Sequence, residues 1–70
     1  MKKLTSNQRS TYNFIKAYTL ANGYPPTLRE IADVEKITIP AAKNRLEAIA
    51  KKGHLELTPN ISRGIKVVIQ

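Results

Sequence analysis

The side chains that could do covalent chemistry are either missing from this sequence or stand apart from any helper. There is no cysteine and one histidine, His54, whereas a zinc-type site needs three or four converging ligands. Ser6, Ser10 and Ser62 have no His or Lys arranged to activate a hydroxyl, and nothing organises an oxyanion site. No catalytic residues, metal or cofactor are therefore expected. The chemistry that remains is recognition of a polyanion. Twelve Lys and Arg against five Asp and Glu give a net charge of +7 and a pI of about 10.1. Such a surplus on a small surface favours nucleic acid through counterion release. The basic residues are spread along the chain rather than run together, which argues against a disordered basic tail.

The candidate contacts fall into three groups. Thr27 and Arg29 stand at the start of one short apolar-periodic segment. Thr38, Ala41, Lys43, Asn44, Arg45 and Glu47 belong to a second, and Arg63 and Lys66 to a terminal alternating segment. The types suit duplex DNA. Lys and Arg can take phosphate or the O6 and N7 of guanine, Asn pairs with adenine, Glu accepts from cytosine, and small Ala lets a helix approach closely.

Elements that could hold these residues are legible from caps and periodicity. Thr5 followed by Gln8 reads as a capping box opening a helix over residues 6–22, whose stripe includes Thr11 and has Phe14, Ile15 and Tyr18 as its apolar part. Gly23 ends it, and Pro25-Pro26 prevent its continuation. Thr27-Leu28-Arg29-Glu30 is a second capping box, with Pro26 and Ile31 as the staple pair. The short helix it starts ends near Glu35 or Lys36 and buries Ile31, Ala32 and Val34. Thr38 caps a third helix, with Pro40 in its first turn and Ala42, Leu46, Ile49 and Ala50 facing inward. Its opposite face carries Ala41, Lys43, Asn44, Glu47 and Ala48, and Gly53 closes it. The period then changes to alternation: Leu55 and Leu57, a break at Thr58-Pro59-Asn60, then Ile65, Val67 and Ile69. Arg63 is placed at the hairpin tip. The expectation is an α+β winged helix-turn-helix filling residues 1–70 as a single domain: three helices, then a two-stranded antiparallel hairpin wing. Residues 38–52 would enter the major groove, and a wing over residues 54–69 would meet the backbone or the minor groove.

Along nearly its whole length the chain resembles the N-terminal DNA-binding domain of the LexA repressor family. The residues that carry the likeness are Leu4-Thr5 with Gln8, Gly23 with Pro25-Pro26-Thr27, and Glu30-Ile31-Ala32. They continue with Ala41-Ala42, Leu46, Ala50-Lys51-Lys52-Gly53 and Ser62-Arg63-Gly64-Ile65. The resemblance implies a bacterial or phage transcription regulator that represses by binding a palindromic site as a homodimer. It also brings two departures. Val34-Glu35-Lys36-Ile37 stands where the family usually has a Leu-Gly pair, about one residue shorter, and Lys43 and Asn44 replace two acidic residues of well-known members. A cation and an amide in place of two carboxylates should change the bases read. Members of the family continue into a self-cleaving domain with a Ser-Lys pair. A sequence closing at Gln70 has no room for one, so no self-cleavage is expected, whether it is an excised domain or a stand-alone regulator.

A different class of function also fits the plan, since fold alone does not dictate function. Winged helices also serve as protein-interaction modules for another regulator or a polymerase component, and Ile37, Ile39 and Val68 would be the exposed apolar residues behind that reading. Tyr12, Tyr18 and Tyr24 could stack on single-stranded bases, but so few aromatics disfavour it, and Tyr18 shares the core stripe with Phe14 and Ile15. His54 is read as an exposed strand residue or a minor phosphate contact. Lys2 and Lys3 are either an arm on phosphates or simply solvated. No run approaches the ~18 apolar residues of a membrane span, so no membrane partner and a cytoplasmic, nucleoid-associated protein are expected.

Overall fold

The computed structural model describes residues 3–58 and 63–68. Three helices, α1 (Ser6–Asn22), α2 (Leu28–Glu35) and α3 (Ile39–Lys51), are followed by β1 (Leu55–Leu57) and β2 (Ile65–Val67), which pair antiparallel as a wing. This is the α+β winged helix-turn-helix expected from the sequence.

Each helix starts where a threonine says it should. Thr5 and Thr27 form complete capping boxes with Gln8 and Glu30, and the Thr38 hydroxyl accepts from the Ala41 amide at 3.2 Å. These side chains satisfy amides that have no intrahelical partner. Gly23 ends α1 at φ 80, a left-handed conformation natural for a residue without Cβ. At the end of α2 the same conformation falls on Lys36, at φ 57. Lys36, within the Val34-Glu35-Lys36-Ile37 stretch that departs from the family's Leu-Gly pair, thus holds a conformation that favours glycine.

The core joins α1 through Ile15, α2 through Ile31 and Ala32, α3 through Ala42, Leu46 and Ile49, and the wing through Leu55. Ile65 and Val67 pack against it from β2. Several expectations need correcting. Val34 is 52% exposed, because the buried stripe of α2 runs through Leu28, Ile31, Ala32 and Glu35 instead. Ile37 is half-buried against the core: the left-handed turn at Lys36 points it inward, and its amide bonds the Ala32 carbonyl at 3.0 Å. In α1 the fully buried residues are Thr11 and Ile15, while Phe14 and Tyr18 are only half-buried. Pro59, Asn60, Ser62, Lys2 and Ile69 lie outside the described residues.

The strand register pairs Leu55 with Val67, Glu56 with Lys66 and Leu57 with Ile65. Because side chains alternate across a strand, one face of the hairpin is apolar and leans on the core. The other presents Glu56 and Lys66, both largely exposed and 4.0 Å apart. The ladder extends at either end through Thr58 to Gly64 at 2.7 Å and Val68 to His54 at 3.0 Å.

Candidate nucleic-acid interface

On α3, the exposed residues Ile39, Pro40, Lys43, Asn44, Glu47 and Lys51 recur at spacings of three and four. They therefore form one continuous face, directed away from buried Ala42, Leu46 and Ile49. Of the sequence candidates, Lys43, Asn44 and Glu47 share this face, with Thr38 exposed at its N-terminal end and Ala41 half-buried at its edge. Lys51 extends the face by a further turn. Its role as part of the helix ending concealed this position in the sequence reading.

A groove of about 690 Å³ runs between the start of α2, α3 and the wing. Thr27, Arg29, Lys43 and Glu47 border it, so residues from two separate sequence segments meet at one surface. Leu28, Ile39, Leu57 and Ile65 line it with apolar surface. Arg29 is exposed in the first turn of α2, where helix amides lack intrahelical acceptors and favour an anion. The Thr27 and Thr38 hydroxyl oxygens already accept from backbone amides at 3.2 Å, and each retains a hydroxyl proton to donate. Lys66, 80% exposed, projects from the wing.

Two arginines among the candidates do not point into this surface. The Arg45 guanidinium, 21% exposed, lies 3.5 Å from a Glu35 carboxylate oxygen and donates to the Thr11 hydroxyl at 3.3 Å. Thr11 in turn donates to the same Glu35 oxygen at 2.6 Å, and Ser10 approaches the other at 3.4 Å. A residue from each helix thus meets in one polar knot. Arg63 turns back from the wing to the corner between α1 and α2, where Nη1 donates to the Pro25 carbonyl at 2.8 Å and to Glu30 at 3.0 Å. It also lies 3.4 Å from the Tyr18 hydroxyl, which donates to Glu30 at 3.0 Å. The Thr27 amide holds the Glu30 carboxyl below its ordinary range, joined by Tyr18 and Arg63 and opposed by partial burial. These partners were not legible in the sequence, since they are 33 to 45 residues from Arg63.

His54 is half-buried just before β1, its ring edge-on to Tyr12 at 5.6 Å, and is not an exposed strand residue. Nor do Ile37, Ile39 and Val68 form one apolar patch. Ile37 packs on the core, Ile39 borders the groove, and Val68 sits at the other end of the ladder in a separate depression with Glu56 and Lys66. Among the described residues no group of three or more His, Cys, Asp and Glu could hold a metal ion. No described helix is long and apolar enough to cross a membrane.

The model of the LexA DNA binding domain family matches residues 1–64. Among curated relatives, the LexA repressor of Leptospira interrogans (serovar copenhageni) is 44% identical over 70 residues, covering 100% of this chain and 34% of its own. LexA repressor 2 of Geobacter sulfurreducens is 47% identical over 72 residues, with coverages of 100% and 35%. The LexA repressor of Pseudomonas chlororaphis is 47% identical over 68 residues, with coverages of 96% and 34%. The chain spans about a third of the length of these relatives. Matched by that family's model over most of its length, and folded as three helices and a wing, the chain belongs to the LexA DNA-binding domain family.

Proposed function

We propose that this chain binds double-stranded DNA as the reading domain of a transcription repressor, with residues 38–52 in the major groove and the wing on the backbone or minor groove. The observation that carries the reading is the exposed face of α3. It is mostly polar, with Ile39 the apolar residue at its start, it is framed by Arg29 on one side and the wing on the other, and it belongs to a chain of net charge +7. Thr27, Arg29 and Lys66 are assigned to phosphates, and Thr38, Ala41, Lys43, Asn44 and Glu47 to base edges or close groove contact. Relatives named as repressors support the regulatory sense.

A second copy on the neighbouring half-site of a palindrome is the arrangement the family resemblance implies. One copy alone lacks the effective concentration a linked partner supplies, so its affinity should be micromolar or weaker at physiological salt. A repressor of this kind works where the chromosome is, in the cytoplasm at the nucleoid. Lys43 and Asn44 favour guanine and adenine over the bases that carboxylates would read. The site should therefore differ from that of members with two acidic residues there.

Fluorescence anisotropy on a mixed-sequence duplex and a single strand, across a salt series, tests the proposal. Duplex binding that falls steeply with salt, by several released counterions, is expected. No duplex binding even at low salt would overturn it. Marked preference for the operator of the doubly acidic members over a scrambled duplex would refute the altered-specificity part.

A further inference from the structure

Among the described residues, few contacts fix the outer end of the wing. Its strands are three residues each, and an isolated hairpin is marginal in water. The core grips its apolar face through Leu55, Ile65 and Val67. Beyond Leu57 and Ile65 the ladder makes one more bond among the described residues, from the Thr58 amide to the Gly64 carbonyl at 2.7 Å. Arg63 stands at this end, next to Gly64.

Its side chain is not spread toward solvent. Nη1 reaches the Pro25 carbonyl, the Glu30 carboxylate and the Tyr18 hydroxyl, and the guanidinium carbon lies 4.6 Å from the centre of the Tyr24 ring. Tyr24 is braced in turn by Tyr18, edge-on at 6.0 Å. The prolines make this corner: they break the chain after α1, so the Pro25 carbonyl is left outside any helix ladder and can accept from a distant donor. One planar cation therefore ties the wing to the corner from which α2 departs, and α2 carries Thr27 and Arg29.

We propose that Arg63 is a positioning residue, a latch that holds the outer end of the wing to the α1–α2 corner and so sets where Lys66 meets DNA. The proposal rests on the DNA-binding reading for its consequence, but the latch itself belongs to the free protein. Lysine carries the same charge, but its stem ends one bond short of Nη1 and its ammonium has no flat face to set over Tyr24, so it replaces this arrangement poorly. A phosphate contact, by contrast, needs mainly the charge. The two roles separate on that difference.

The test compares wild type, Arg63→Lys, Arg63→Gln, Tyr24→Leu and Lys66→Gln. Each is read by amide hydrogen exchange at Thr58 without DNA, and by anisotropy on a 20-base-pair mixed duplex across a salt series. The latch predicts that Arg63→Lys and Arg63→Gln speed Thr58 exchange alike, on the order of tenfold. Both should also weaken duplex binding alike. Tyr24→Leu should move both readings in the same direction and add little once Arg63 is already replaced. Lys66→Gln should leave Thr58 exchange unchanged and lower the salt slope by about 0.9. Wild-type binding retained in Arg63→Lys, with unchanged Thr58 exchange in Arg63→Gln, would overturn the latch and make Arg63 a phosphate contact. If wild type itself binds no duplex, the DNA reading fails, while Thr58 exchange still decides the latch. Should Arg63→Gln not fold, Tyr18→Phe, which removes one hydroxyl from the cluster, carries the exchange measurement.

Discussion

Replacing Thr11 by valine exchanges one hydroxyl for a methyl group at a site with no solvent access. That hydroxyl donates to Glu35 at 2.6 Å and accepts from Arg45 at 3.3 Å, joining α1 to α2 and α3. Both partners are charged and mostly buried, at 13% and 21% exposure. A hydrogen bond to a charged group contributes about 1.5–3 kcal/mol, and the stranded partners lose further if water cannot reach them. Here Glu35 and Arg45 keep each other at 3.5 Å, and Ser10 remains on the second carboxylate oxygen, which limits the loss. The expected cost is about 2 kcal/mol. For a domain of this size that is a large share of a total near 3.5–10 kcal/mol, and it should lower Tm by about 8–16 °C. Thr11→Ser keeps the hydroxyl and loses only a methyl group, costing about 1 kcal/mol. Thermal melts and urea titrations followed by circular dichroism measure both. If valine costs less than serine, the methyl group and not the polar knot is what Thr11 contributes, and the reasoning fails.

Lys36→Gly relieves the left-handed residue between α2 and α3 and should raise stability by about 1 kcal/mol, or Tm by about 4–8 °C; an unchanged or lower Tm counts against strain at that turn. Thr38→Ala removes the cap of α3 and should cost about 1 kcal/mol in a urea titration; a neutral result would mean that water replaces the cap without loss. Because the Glu30 carboxyl is held below its ordinary range, its stabilisation is complete above the unfolded-state value and is lost as pH falls through the lower folded value. The Tm gap between wild type and Glu30→Gln should therefore close in acid, and a gap that does not depend on pH would contradict this account.

The three helices and the wing were legible because their signals are local. Thr5, Thr27 and Thr38 each act on an amide three residues away, and Gly23 acts on its own φ. The candidate face of α3 was legible for the same reason, as a helical period exposes Lys43, Asn44 and Glu47 whenever it buries Ala42, Leu46 and Ile49. What was hidden is polar and distant. Hydrophobic pattern assigns Val34 to the core of α2, yet the inward position seven residues after Leu28 belongs to Glu35. That carboxylate tolerates burial because Thr11 and Arg45, from the other two helices, meet it there. Arg63 looked like an outward wing cation for a similar reason. Nothing within four residues of it shows that Pro25, Glu30 and Tyr24 wait at the far corner.

The central claim, that α3 presents its polar face to duplex DNA, is tested most directly by amide chemical-shift mapping of this chain with a 20-base-pair duplex at low salt. The account predicts saturable shifts at Lys43, Asn44 and Glu47, with companions at Leu28, Arg29 and Lys66. Shifts confined to the outer side of α1, around Lys16 and Leu20, or no shifts at all, would contradict it.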